Sequence, residues 1–561
     1  MKRKTFLIWL LTGMLAVTGM TGCSNKAETE GTEKEAGEAA GTEEAAGWKG
    51  KGGAMAENQV TEEELAAYEA ADAIEIEELS LITDWKEQAS ITLGDSISIN
   101  GTGAAIEDGN VIKITQGGAY TFTGTLKDGM IAIDTEDAVK LVLNGASITN
   151  DDNSVIYGYN SKTCYIETAA GTENSLTDQR VSAEADGAEE TAEESEEKGK
   201  AAVFSNDELV FLGEGSLTIS GGYKHAAASD DHIFVESGSL LLTAEKDGMH
   251  TNDWICIDGG SIDISCSDDA MQSEGPVSIN GGNIAIAADD KGITAYGDLT
   301  VNDGNITMSS CTEGLESKND FYMNGGTAKI TCSDDGVNAR NSLTVNDGIL
   351  YTMVSAGDGL DSNGTMEIHG GQVFAFGGMQ PECGADCDQN KIIITGGLLI
   401  AAGGSNSAPS ETDSSQISVL LGSAKTGDTI GIKNEAGETV FAFEVQKDYS
   451  NMLLSTGTIA ENMSYTVYTG GTIKGESVYG YYENGSYEGG TESVTFETDS
   501  MVVSAGGTSD SMGGRDGMGG RGGMNGQMPE GGMPNGEMPD GEMPQMPGSE
   551  TGDENMQNDG L

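Results

Sequence analysis

KDGMHTNDWICIDGGSIDISC (246–266), DDAMQSEGPVSINGGNIAIAA (268–288), DKGITAYGDLTVNDGNITMSS (290–310), TEGLESKNDFYMNGGTAKITC (312–332) and DDGVNARNSLTVNDGILYTMV (334–354) are five copies of one unit, set 22 residues apart. GDGLDSNGTMEIHGGQVFAFG (357–377) follows after a one-residue insertion, and an earlier copy starts at Lys224-His225. Along one column the repeat reads His225, Asp247, Asp269, Lys291, Glu313, Asp335 and Asp358. A period held over seven copies marks a stacked repeat rather than a string of globular domains.

Each copy parses into short strands. Ile255/Ile257, Val277/Ile279, Leu299/Val301, Phe321/Met323, Leu343/Val345 and Met366/Ile368 are apolar at i and i+2. Ile262/Ile264, Ile284/Ile286 and Ile306/Met308 repeat the pattern, and Met249, Met271, Ile293, Leu315, Val337 and Leu360 add a third inward position. Glycine-rich corners separate them. Three short strands per turn with period-2 alternation predict a parallel β-helix of about 22 residues per coil, right-handed as parallel crossovers nearly always are. A helical solenoid is excluded by the glycine density and the missing 3.6 period. A leucine-rich repeat is excluded by the missing Leu/Asn signature. A second column, Asp258, Asn280, Asn302, Asn324 and Asn346, stands at the corners. Stacking places these side chains about 4.8 Å apart. Amides at that spacing hydrogen-bond up the stack, and Asn suits a left-handed turn position. We read this column as a structural ladder.

Outward from the repeats, the all-β reading extends over residues 86–405, interrupted by an acidic loop at 182–200. Residues 406–504 contain VLLGSAKTGDTIGIKNEAGETVFAFEV and read as a compact C-terminal β module. Residues 505–561 are rich in Gly, Met and Pro and read as a disordered tail. That tail is expected to be dispensable for folding. At the other end, Lys2, Arg3 and Lys4 precede the apolar run 6–17, which is too short to span a bilayer, and then MTGC. Residues 1–22 therefore resemble a bacterial lipoprotein signal, with Cys23 as the lipidated residue; an ordinary cleaved signal peptide is the alternative. Residues 23–85 read as an acidic, solvated tether, with one short helix in TEEELAAYEA (61–70). This arrangement predicts a folded part held outside the bacterial membrane, with a lipid as its sole membrane contact.

The 561 residues carry 92 acidic and 28 basic side chains, a formal charge of −64. Of this, −26 lies in residues 24–80, 182–200 and 505–561, so the folded region is acidic too. Such a surface repels nucleic acid and favours cations. Collagen is excluded because the 83 glycines lack a three-residue period and only 8 prolines are present. Apart from Cys23, seven cysteines form no zinc pattern. Most read as small buried hydrophobes, and Cys383 and Cys387 are the candidates for a pairing within a loop.

The acidic turns are the chemical signal. Asp268-Asp269, Asp289-Asp290 and Asp334-Asp335 are pairs, and Asp247, Glu313 and Asp358 hold related positions. Stacked carboxylates about 5 Å apart repel by about 1 kcal/mol in water and about 3 kcal/mol at an effective dielectric near 20. A cation between them is favoured, and hard oxygen donors point to calcium. Capping of exposed turns is the plainer role for the same Asp residues. The adjacent rungs 268/269 and 289/290 are the leading site. Alternation directs Trp254 and Tyr322 outward, where they are candidates for stacking on sugar rings. Lys291, Lys318 and Arg340 stand near acidic rungs and are the candidate bases of a calcium-dependent polysaccharide lyase. Neutralisation of their acidic neighbours is the plainer role.

The 22-residue copies with DG and NGG or NDG corners, the segment VKLVLNGASITN (139–150), the MTGC signal and the Gly/Met/Pro tail together resemble a bacterial family of carbohydrate-binding domain-containing proteins. The resemblance covers about residues 85–505. It implies a right-handed parallel β-helix similar to pectate lyases, bound calcium at the Asp pairs, and binding of plant cell-wall polysaccharide, polygalacturonate and cellulose, at the cell surface. Two departures, Lys291 and Thr312-Glu313, interrupt the acidic pattern past Asp290. A lyase and a purely structural surface adhesin are the competing functional classes.

Overall fold

The computed structural model describes residues 62–71, 73–77, 79–181, 198–388 and 390–508. The signal segment, Cys23, most of the tether, most of the acidic loop and nearly all of the tail lie outside the described residues.

The repeats stack as a parallel β-solenoid of about 12 turns of about 23 residues. One coil runs through Met271–Ser273, Val277–Ile279 and Asn283–Ala288, and the next begins at Lys291–Ala295. The first strand of each coil joins a 13-stranded sheet and the other two join a 27-stranded sheet. Register follows the period: Met249, Met271, Ile293, Leu315, Val337 and Leu360 pair in sequence up one face. All six are fully buried, as are Leu299, Phe321 and Leu343 on another face. Each such side chain contributes roughly 1.5–3 kcal/mol of burial, which a coil can gain only by stacking on its neighbours.

The corner ladder is present. Asn280 donates its amide to Asp258, Asn302 to Asn280, Asn324 to Asn302 and Asn346 to Asn324, each at 2.8 Å. The left-handed residue is not the Asn, however. It is the glycine two positions later, with φ of 90° at Gly282 and 99° at Gly304. A Cβ at Gly304 would sit 2.9 Å from the Gly281 carbonyl carbon of the coil below, so the corner requires glycine.

The stack is closed at both ends by reversals of strand direction. Ser98–Gly101 and Ala104–Glu107 pair antiparallel with Glu87–Leu93 and Val111–Ile114. At the other end Leu398–Gly403 pairs antiparallel with Tyr449–Thr456, which leads into a β module with a four-stranded sheet. These reversals interrupt the parallel edges that would otherwise template further strands. Phe374, Phe376, Phe441 and Phe443 belong to a second hydrophobic core, which joins this module to the last coils.

Three expectations need correction. First, the chain is not a free tether up to residue 85. Glu62–Ala71 is the expected helix, and Ile74, Ile76, Leu79, Leu81 and Trp85 then pack on the outer face of the 27-stranded sheet against Tyr165, Val210, Phe234, Trp254 and Cys256. The alternating apolar residues of this strap outweigh the Glu residues between them. Second, Cys383 and Cys387 are both free and buried, like the other five described cysteines. Third, the C-terminal module extends past residue 504. Ala505 is buried, the Gly507 amide bonds the Leu420 carbonyl at 3.1 Å, and Asn451 bonds the Thr508 carbonyl. A chain ending at Thr508 is expected to melt like the full chain, whereas one ending at Ser504 melts several degrees lower. Equal melting curves for the two truncations would show that residues 505–508 contribute nothing. Among the described residues no helix is long and apolar enough to cross a membrane.

Candidate functional site

The acidic turns lie where each long strand hands the chain to the 13-stranded sheet. The stacking does not yield one continuous ladder. It yields separate groups along the outer face of that sheet.

In the first acidic group, Asp268, Asp269 and Asp290 each bring a carboxylate oxygen to within 4.8 Å of the others. Asp269 is buried. It accepts the Lys291 amide at 3.0 Å and the Thr294 hydroxyl at 2.7 Å, and burial pushes it up to about 6. Asp289 is exposed and falls outside the group.

One coil on, the sign changes. Lys291 and Lys318 both ion-pair with buried Glu316, and Lys291 lies 3.8 Å from Glu313. Burial opposes the Lys291 charge, but Glu316, Glu313 and Asp269 outweigh it and hold the ammonium protonated well above its usual range. Glu313 is pushed up to about 7 by burial and by Glu316. This cationic interruption is the one that Lys291 and Glu313 foreshadow in the sequence.

Beyond it, Asp335 accepts the Asp358 amide at 2.7 Å and is pushed up to about 6 by burial, while Asp334 is exposed. Asp358, Asp361 and Asp386 form a second group within 4.8 Å. Burial first, and then the neighbouring carboxylates, push Asp358 up to about 8 and Asp361 up to about 9. Such values describe a site that holds protons at neutral pH unless a cation replaces them. Both acidic groups consist of hard oxygen donors and fit calcium.

Asp247 belongs to neither group. Its carboxylate is held by His225 at 3.1 Å and His250 at 2.8 Å, so the expectation of an oxygen-only calcium rung there is corrected.

The aromatic expectations divide. Trp254 does point away from the solenoid interior, but the strap covers it. It is 3% exposed and stacks on His232 at 3.8 Å. Tyr322 is half-buried and donates its hydroxyl to Asp320 at 3.2 Å. Arg340 lies over the ring of Tyr68, 4.8 Å from its centroid, and belongs to the packing of the N-terminal helix. An aromatic face that the sequence reading missed is Tyr159, 39% exposed and stacked on Tyr157 at 3.7 Å. It borders a cleft of about 740 Å³ over the first strands of the 13-stranded sheet, lined also by Asp108, Lys113, Asp134 and Asn160.

Asp361, Asp386, Glu316 and His250 were missed as well, although a signal exists. His250, Gln272, Thr294, Glu316, Asn338, Asp361 and Asp386 pair up the sheet as one column. It lies three residues after the acidic column, in the middle of each short strand, and therefore faces outward.

A family model described as carbohydrate-binding domain-containing protein matches residues 108–352 and 308–440. A carbohydrate-binding domain-containing protein of Acetivibrio thermocellus is 31% identical over 135 residues, 24% of this chain. The matched stretch spans 45% of that relative's length. Among solved structures, the gadolinium derivative of a polysaccharide lyase-like protein from C. thermocellum matches with 24% identity and a TM-score of 0.34, covering 50% of this chain and 96% of that one.

Proposed function

The chain belongs to the carbohydrate-binding domain-containing protein family, and we propose that it binds plant cell-wall polysaccharide, acidic polygalacturonate above all and cellulose besides, through calcium on the outer face of the 13-stranded sheet. The observation that carries this reading is the gathering of Asp268, Asp269 and Asp290, and of Asp358, Asp361 and Asp386, into two close oxygen groups on one face. A protein of charge −64 repels a polyuronate. Calcium held by three carboxylates keeps coordination positions for outside oxygens, and a uronate carboxylate fills them. Tyr159 supplies a ring face on which a neutral glucan rests. On this reading residues 1–22 are the signal and a lipid on Cys23 holds the protein at the outside of the bacterial membrane, where such polymers are met.

The lyase alternative needs a free base near the uronate C5 proton. Lys291 and Lys318 instead ion-pair with Glu316, Lys291 is held protonated, and Arg340 packs on Tyr68. Binding without cleavage is therefore the stronger reading, and a structural adhesin has no observation that favours it.

On a pectate affinity gel the wild-type protein is expected to be retarded in calcium and released by chelator. Asp269→Asn with Asp290→Asn should weaken retardation at least about tenfold, because the group loses two of its three charges. Binding that survives chelator removes the bridging mechanism. An unsaturated product absorbing in the ultraviolet, lost in Lys291→Ala, establishes the lyase instead.

A further inference from the structure

We propose that His225, Asp247 and His250 form a site for one divalent transition-metal ion of the zinc class, distinct from the oxygen-only groups on the same sheet. The parallel register builds it. His225 opens one short strand and Asp247 occupies the same column one coil later. His250 lies three residues beyond Asp247, on the outward side of the next strand. The Nδ1 atoms of both rings converge on a single oxygen, Asp247 Oδ2, at 3.1 and 2.8 Å. The other carboxylate oxygen is fixed by the Asp269 amide at 3.2 Å, so the Asp247 side chain is positioned by the next coil.

The donor set decides the ion. Calcium takes six to eight oxygens, whereas two imidazole nitrogens and one carboxylate oxygen suit zinc and its neighbours. Three protein ligands leave a fourth position for water or for an oxygen of a bound ligand. His225 Nδ1 faces the Asp247 amide at 3.3 Å and the Asp247 carboxylate at 3.1 Å, and an ion seated between ring and carboxylate would take the place of the proton that this second contact otherwise needs. His225 and Asp247 are buried and held, while the His250 side chain is 21% exposed. The two rings lie 21° from parallel with centroids 4.5 Å apart. His250 must therefore turn about its Cβ–Cγ bond to aim at an ion held by the other two, and it is the ring with room to do so. The same exposure provides the entry path.

The competing account is a carboxylate that shares protons with two histidines and takes no ion. The full chain, stripped with chelator and kept in excess calcium to fill the oxygen groups, is titrated with zinc and, separately, with cobalt as a visible-absorbing stand-in. One equivalent of zinc should bind, with release of protons that grows as the pH is lowered toward the histidine range. The cobalt form should show the intense visible bands of a low-coordinate nitrogen/oxygen site. His250→Ala should lose both the equivalent and the bands, while Asp289→Asn keeps them. Equal zinc uptake by wild type and His250→Ala, or a wild-type cobalt spectrum no different from that of hexaaqua cobalt, overturns the site. The second outcome is decisive even if the variant folds poorly.

Discussion

Removing divalent cations is expected to lower the melting temperature far more at pH 8.5 than at pH 5.5. The reason lies in the second acidic group. Asp358 is pushed up to about 8 and Asp361 to about 9, whereas both titrate near 4 in the unfolded chain. Between those values the folded protein binds more protons than the unfolded one. Stability is therefore fully present below about pH 4 and is lost as the pH rises through the folded values. Each unit of displacement is about 1.4 kcal/mol, so the coupled pair loses on the order of several kcal/mol by pH 9 without a cation. On the proposed function calcium would take the place of the protons and offset part of this loss, by about 2.7 kcal/mol at a hundredfold excess over its dissociation constant. Thermal melts with calcium and with chelator at both pH values measure the difference. Asp358→Asn with Asp361→Asn should flatten it. A calcium shift equal at the two pH values, or unchanged in the double variant, contradicts the assignment of calcium to this group.

Trp254→Ala is expected to cost about 3–5 kcal/mol of stability, the range for truncating a buried aromatic, and to leave polysaccharide affinity of the folded protein unchanged. The ring is enclosed by His232 on one face and sits in a cluster with Tyr165, Phe234 and the strap residues Ile74 to Trp85. Its loss leaves a cavity beneath the strap rather than an empty sugar platform. Chemical denaturation and a pectate gel run on the same preparation distinguish the two roles. A variant with wild-type stability and weakened binding would return Trp254 to the surface and contradict the strap. Tyr159→Ala is the appropriate comparison, because that ring is exposed and its removal should weaken cellulose binding with little effect on stability.

The contrast between Trp254 and Tyr159 shows what a repeat sequence reveals. Period-2 alternation assigned Trp254 to the outer side of its strand, and it is on that side. Alternation carries no information about whether another segment lies over that side. The strap comes from 169 to 180 residues earlier in the chain, and its own signal, apolar residues alternating with Glu, resembles an acidic tether in composition. The acidic column shows the same limit. The 22-residue spacing placed Asp269, Lys291, Glu313, Asp335 and Asp358 on one line, and the change of sign at Lys291 was visible there. Which oxygens meet was not visible, because Asp361, Asp386, His250 and Glu316 enter from the neighbouring column.

The sequence by itself determined the solenoid, its register, the inward columns and the Asn ladder. These rest on a short period and on burial that every coil repeats, so local pattern suffices to specify them. The tertiary structure alone decided that Asp247 answers to two histidines, that Asp289 stands apart from Asp290, that Trp254 is covered, and that residues 505–508 dock on the C-terminal strands of the 27-stranded sheet. Each of these depends on side chains meeting from different coils or on distant segments docking, and the energy of such contacts is set by geometry that a one-dimensional period does not contain.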